Sequence, residues 1–428
     1  MKNCFYLTLL LGTLLLGGCL KDDCTRTVTY LHYEPVWVTP EDFRARDLEV
    51  LTTRELEQPG QLYYYEDHIF INELNEGLHV IDNREPQNPQ PVAFLKIEGN
   101  RDLAIRDGIL YANNYGDLLA IELGDLSDLN NLDVLSRTED MFPMQSNGNG
   151  MFLSHYETEM RTDEYDCTTA NQFQRWGWGC PNCSFAEVDF AFDNSASVGT
   201  SVPSAPAGVG GSMARFTLYN GHLYTVDEST LRVFSLASPT APAQSAEINL
   251  GWGIETIIPN GQYLFIGSNR GMQIFDAANP GVPSFVSDFE HANACDPVFV
   301  KDEYAYVTLR SGNNCEGFTD QLELIDISNI ESPQLTKTFP MDNPHGLSIR
   351  ENTLFLCEGE SGLKTFDISD PLELDEHLLG RRDDGQATDV IVLPGEQPVV
   401  MVIGQDGFYQ YDYSNPAELQ LLSKISVE

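Results

Sequence analysis

Apolar residues in this chain come in short strand-length runs closed by Gly, Asn, Asp or Pro, without the long 3.6-residue periodicity of helices. The stretch 69–92, IFINELNEGLHVIDNREPQNPQPV, is rewritten seven times: an apolar strand, a polar hairpin ending in Gly or a small residue, a second strand closing on Asp, then a Pro-bearing turn. The second strands of the repeats read IFIN (69–72), LYAN (110–113), LYTV (223–226), LFIG (264–267), AYVT (305–308), LFLC (354–357) and VMVI (400–403). The third strands read LHVID, LLAIE, LRVFS, MQIFD, LELID, LKTFD and FYQYD. Apolar and polar positions do not alternate cleanly within them, which predicts sheets covered on both faces. The repeats divide as 60–99, 100–143, 210–252, 253–292, 293–342, 343–380 and 381–428, about 43 residues each. That period predicts an all-β chain, a β-propeller of four-stranded antiparallel blades, with seven blades first and six or eight as alternatives. Spacing is irregular in 118–132 and 381–398, and a foreign insertion occupies 144–209.

Five third strands end in Asp: Asp82, Asp276, Asp326, Asp367 and Asp412. Each precedes a Pro turn, so the expected role is a side chain accepting backbone N–H groups in that turn rather than chemistry. Ahead of the repeats, 27–39 alternates β-branched and aromatic residues like a strand, and 40–46 fits one helical turn. The insertion holds Trp176 and Trp178, then becomes rich in Gly, Ser, Ala and Pro over 195–212, which predicts flexibility.

Charge narrows the partners. The chain carries 24 Lys plus Arg against 65 Asp plus Glu, a net charge of −41. Nucleic acid and anionic lipid surfaces are poor partners for it, since both require a basic face. The acidity suits an exposed, soluble monomer or a subunit of an envelope complex, with weak affinity for hard cations.

The first residues read as an address. A lone Lys2, an apolar run too short to span a bilayer and small residues form a secretory signal over 1–18. Leu16-Gly17-Gly18-Cys19 resembles the bacterial lipobox, which implies that Cys19 is acylated and heads a lipidated tether and lead-in strand over 19–59, followed by the propeller at 60–428. The following Cys19-Leu20-Lys21-Asp22-Asp23 resembles the surface-export signal of Bacteroidota lipoproteins, implying an outer-membrane lipoprotein exposed on the cell surface.

Of nine cysteines, Cys4 leaves with the signal and Cys19 carries lipid, so seven remain and at least one thiol stays free. Cys295 begins an innermost strand and Cys315 follows the next, antiparallel one, which predicts a Cys295–Cys315 disulfide. Cys167 is expected to pair with Cys180 or Cys183; a lone Cys-x-x-Cys is a poor zinc site. The pairing of Cys24 stays open, and Cys357 reads as a small buried hydrophobe.

The third-strand pattern followed by a Ser/Asn-Pro turn resembles the LVIVD repeat of bacterial and archaeal cell-surface proteins. The segments GLHVIDNREPQNPQPVAFLKIEGN, ACDPVFVKDEYAYVTLRSGNNC and LFLCEGESGLKTFDISDP carry the resemblance, which covers about 27–143 and 210–428. It implies a propeller on the cell surface and no particular activity.

In a propeller, loops between blades and hairpins between second and third strands share one face. Here that face collects Asp102, Glu255, Asp296, His345 and Asp389 at the blade entries. Its hairpins add Glu73, Asn75, Asn113, Asn114, Asn269, Arg270, Arg310, Glu358 and Glu360. An acidic ring at the channel mouth offers oxygen ligands to Ca²⁺ or a polar ligand; the other expectation is that these side chains tie entry loops to backbone. Nucleophile elbow, phosphate loop and zinc-protease motifs are missing from the sequence. The favoured function is a binding module for an extracellular protein or glycan. A polysaccharide-acting enzyme using channel-mouth carboxylates and a structural envelope subunit are the alternatives.

Overall fold

The computed structural model describes residues 25–166, 207–290, 297–310, 320–395 and 397–427. They fall into two compact units. One contains residues 1–36 and 155–188, the other 37–154 and 189–428. Among the described residues no helix is long and apolar enough to cross a membrane.

Thr25–Val38 pairs with Phe152–Asp166 as a two-stranded ribbon, whose residues 25–36 and 155–166 are the described part of the first unit. Cross-strand contacts hold it: the Tyr30 hydroxyl donates to Asp163 (2.7 Å), and the Tyr33 and Tyr156 rings meet edge to face. The lead-in strand was legible; its partner, inside the insertion, was not.

The second unit is a seven-bladed propeller of four-stranded antiparallel blades spanning 59–96, 103–138, 216–249, 254–290, 298–340, 347–382 and 389–426. Chain order equals order from centre to rim, so each first strand is innermost. Both sheet faces are buried: His68–Glu73, the second strand of the first blade, is covered at every position. Successive blades therefore pack face to face through Leu, Ile, Val, Tyr and Phe.

The third-strand acids behave as their position predicts. One carboxylate oxygen each of Asp82, Asp276, Asp326, Asp367 and Asp412 accepts the N–H two residues on, at 2.7–3.0 Å. The turns so formed also join the blades. The Tyr111 hydroxyl donates to the Pro239 carbonyl of the next blade (3.0 Å), Tyr224 to Pro280 (2.7 Å) and Thr365 to Pro416 (2.7 Å). Ser423 of the last blade donates likewise to Pro86 of the first (2.8 Å).

The lead-in is more than a tether. Glu49–Leu51 extends the outer edge of the first blade against Gln90–Lys96. The short helix Pro40–Arg44 buries Phe43 against Tyr115, while Arg44 forms an ion pair with buried Asp117 (2.7 Å).

Candidate functional site

The innermost strands line the centre of the ring, where a propeller has room for a ligand. In this chain the space holds its own backbone. Val209–Gly210 pairs antiparallel with the free edge of Pro59–Tyr65, placing Val209 opposite Tyr64 and Gly210 opposite Tyr63. Around it, residues 207–215 bond to the first strands of four more blades. The Gly208 N–H donates to Ile105 of blade two (2.8 Å), and the Ala214 carbonyl accepts from Ile257 of blade four (3.2 Å). The Ser212 hydroxyl accepts from the Leu347 N–H of blade six (2.7 Å), and the Ser212 N–H donates to Asp389 of blade seven (2.9 Å). Ala207 pairs with Arg106 at the end of the strand Leu103–Arg106, while Arg215 meets Asp102 just before that strand begins. The segment thus runs the length of the channel and emerges on the loop face.

For 207–212 this departs from the expectation of flexibility made for 195–212; residues 195–206 lie outside the described residues. The small residues serve space, not motion. A Cβ on Gly208 would lie 2.2 Å from the Tyr63 ring, and one on Gly211 would lie 2.0 Å from the Asp389 carboxylate. At these two positions no side chain fits between the segment and the channel wall.

The two entry-strand acids that the sequence singled out face this segment. Asp102 accepts from the Leu103 N–H (2.6 Å), the Arg215 N–H (2.5 Å) and the Gln61 amide (3.2 Å). Asp389 accepts from the Val390 N–H (2.9 Å) and the Ser212 N–H (2.9 Å), while its second oxygen is buried without a partner. Burial pushes Asp102 up to about 7 and Asp389 up to about 8, against the opposing pull of those backbone donors. Both are internal caps for the channel segment, turned away from solvent.

Several hairpin residues are likewise internal. Glu73 is buried; it accepts from His79 (2.9 Å) and from the Glu57 and Gln58 N–H groups, fixing the lead-in. Burial alone would raise it, but these donors hold it below the usual carboxylate range. Asn113 accepts the Arg101 and Asp102 N–H groups (2.8 and 3.0 Å), and Asn114 donates to the Glu98 carbonyl (2.6 Å). Glu358 is buried, accepts the Asp342 N–H (3.0 Å) and pairs with Lys364 (2.5 Å). Glu255 is buried as well.

Arg270 and Glu360 stay exposed on the loop face, with Asn75, Asn269, Arg310 and His345 half-buried. Arg310 donates to the His345 ring, whose pKa is held well below the usual value by burial and by that cation. A neutral His345 is therefore a loop tie that accepts from arginine. Among the described residues no three His, Cys, Asp or Glu side chains converge as a metal site. Asp296, Cys19, Cys24, Cys167, Cys180, Cys183, Cys295 and Cys315 lie outside the described residues, whereas Cys357 is buried, as expected. Reading the sequence missed exposed Trp252 and Arg101 on the same face. An aromatic between two glycines, Gly251-Trp252-Gly253, was the available signal for the former.

A family model described as the LVIVD repeat matches residues 257–290 and 293–340, which fall on blades four and five. The chain therefore carries LVIVD repeats. A search of curated proteins finds no match. Among solved structures, the periplasmic gluconolactonase PpgL of Pseudomonas aeruginosa is similar at 11% identity and a TM-score of 0.52, covering 89% of this chain and 96% of that one. BamB of Moraxella catarrhalis is similar at 7% identity and a TM-score of 0.47, covering 89% and 97%. The computationally designed Ika8 protein is similar at 9% identity and a TM-score of 0.48, covering 89% and 91%. The likeness to PpgL concerns the fold alone.

Proposed function

We propose that this seven-bladed propeller with LVIVD repeats is a lipid-anchored protein of the outer cell surface that binds an extracellular protein or glycan through its loop face. The observation that carries the binding role is the filled channel. Asp102 and Asp389, two of the four blade-entry carboxylates on which channel-mouth catalysis would draw, are buried and committed to the backbone of 207–215, and Glu255 is buried too. What stays exposed and differs from blade to blade lies on the loop face: Arg101, Trp252, Arg270 and Glu360.

The anchor and export signal rest on residues 16–23, and the net charge of −41 suits a protein held in solvent beyond an acidic membrane. The Cys295–Cys315 disulfide is supported by the hairpin it would close, since Val298–Lys301 and Tyr304–Leu309 pair with Val298 opposite Val307. A thiol count in denaturant tests it: two fewer free thiols than in the reduced protein is the least the bridge requires.

Protease treatment of intact cells, followed by affinity capture from untreated cells, tests location and partner together. We expect the protein to be digested on intact cells and a specific protein or glycan to be recovered in the capture. Complete protection from protease would refute surface exposure. Calorimetric titration with Ca²⁺ decides the remaining cation role: no heat and no rise in melting temperature would exclude it.

A further inference from the structure

We infer that Trp252 forms a saccharide subsite on the loop face, stacking on a pyranose ring whose hydroxyls are met by Asn269, Arg270 and Glu228. The inference rests on the proposed binding role and names its chemistry.

Trp252 is 69% exposed, the most exposed large apolar side chain of the described propeller blades and their loops. It stands in the loop between blades three and four, where Gly251 and Gly253 have φ of +90° and +86°. The loop is held on all sides. The Gly251 N–H donates to the Asn249 side chain (3.0 Å), the Gly253 N–H to the Glu228 carbonyl (2.8 Å), and the Leu250 carbonyl accepts from Gln273 (2.8 Å). The indole is thus presented by a fixed backbone, which lowers the entropy cost of using it.

Its surroundings are polar. The Asn269 N–H donates to the Gly253 carbonyl (2.8 Å), and its amide lies so close that a Cβ on Gly253 would fall 2.1 Å from its oxygen. That amide oxygen packs against Gly253 out of solvent and without a hydrogen-bond partner, so the group Asn269 offers a hydroxyl is its NH2. Arg270 follows on the same hairpin, 71% exposed and only loosely paired with Glu290 at 3.8 Å, and Glu228 is exposed across the loop.

A protein hot spot sits in a well-packed, desolvated pocket ringed by contacts that exclude water, whereas Trp252 stands 69% exposed. Here one indole stands among amides and charges. That is the composition a sugar needs, because a pyranose presents a C–H face to the negative face of an aromatic ring and a rim of hydroxyls to donors and acceptors.

The test is titration of the whole protein with xylohexaose, mannohexaose, maltohexaose and trigalacturonate, followed by tryptophan fluorescence and calorimetry. At least one should bind; Trp252→Ala should weaken it tenfold or more with an unchanged melting curve, and Trp252→Phe should restore most of the loss. Asn269→Ala should weaken it threefold or more. Binding that survives Trp252→Ala overturns the subsite while leaving the glycan role standing. If none of the four binds, the saccharide inference fails; a protein captured from cells that still binds the Trp252→Ala variant would then keep the broader role.

Discussion

Asp102 and Asp389 are acids that the fold keeps protonated above their ordinary range. An unfolded Asp releases its proton near pH 3.9, whereas Asp102 retains it to about 7 and Asp389 to about 8. Between those limits the folded protein holds more protons than the unfolded chain, so these groups make stability fall as pH rises. The slope is at most ~1.4 kcal/mol per pH unit for each group. Glu73 and Asp117, held below the carboxylate range by their donors, act in the opposite sense: their contribution is fully present above about pH 5 and is lost only as pH falls further. Asp389→Asn keeps an oxygen for the Ser212 and Val390 N–H groups without the charge. Thermal melts between pH 5 and 8.5 should show wild type losing stability as pH rises while the variant loses less, the gap widening toward pH 8. Parallel curves would mean that Asp389 titrates normally in the folded protein.

At the scale of the element, the Pro turn after each third strand has two jobs. Its Asp closes the turn locally, and its carbonyl receives a side chain from the preceding blade. Tyr224→Phe removes the donor to the Pro280 carbonyl and leaves that oxygen without its partner. The expected loss is ~1–3 kcal/mol in urea unfolding. Asp276 caps the same turn through the Ala278 N–H, so Asp276→Ala should loosen it and shrink the further cost of Tyr224→Phe. Strict additivity of the two losses would show that the turn does not transmit the contact. The blades were readable from sequence because their period and the run of five acids recur, and recurrence separates a turn cap from a site. Channel contents were not readable: Gly208, Gly210 and Gly211 look the same whether glycine supplies freedom or room, and only the Tyr63 ring and the Asp389 carboxylate decide between them. For the same reason Asp102 and Asp389 were legible as acids at blade entries, but not as caps of a segment far away in sequence.

For the whole propeller, closure raises a question that the repeat leaves open. The first and last blades are each built from one contiguous stretch, 59–96 and 389–426, and share no strand across their seam. Contacts among the described residues close it: an apolar cluster including Ile69, Ile71, Met401 and Phe408; the reciprocal amide pair of Asn83 with Gln410 at 2.9 and 2.7 Å; the Pro86 carbonyl, which accepts from Gln410 (3.1 Å) and Ser423 (2.8 Å); and a bridge between Leu56 and Val427. The channel segment adds a second closure from inside, bonding to blades one, two, four, six and seven at once. These two devices predict different failures. Gln410→Leu leaves the buried Asn83 amide unpaired, which costs ~1–3 kcal/mol for each lost group and should lower the melting temperature while keeping one cooperative transition. Gly211→Val drives a side chain into the Asp389 carboxylate, with the strands on either side fixed by their ladders. The segment must then leave the channel, uncovering Asp389 and the free edge of Pro59–Tyr65 together. We expect Gly211→Val to unfold in a broad, low-temperature transition and to become sensitive to trypsin at Arg215. A Gly211→Val protein that melts as one sharp transition near the wild-type temperature would show that the seam alone holds the ring, and that the channel segment is a removable plug.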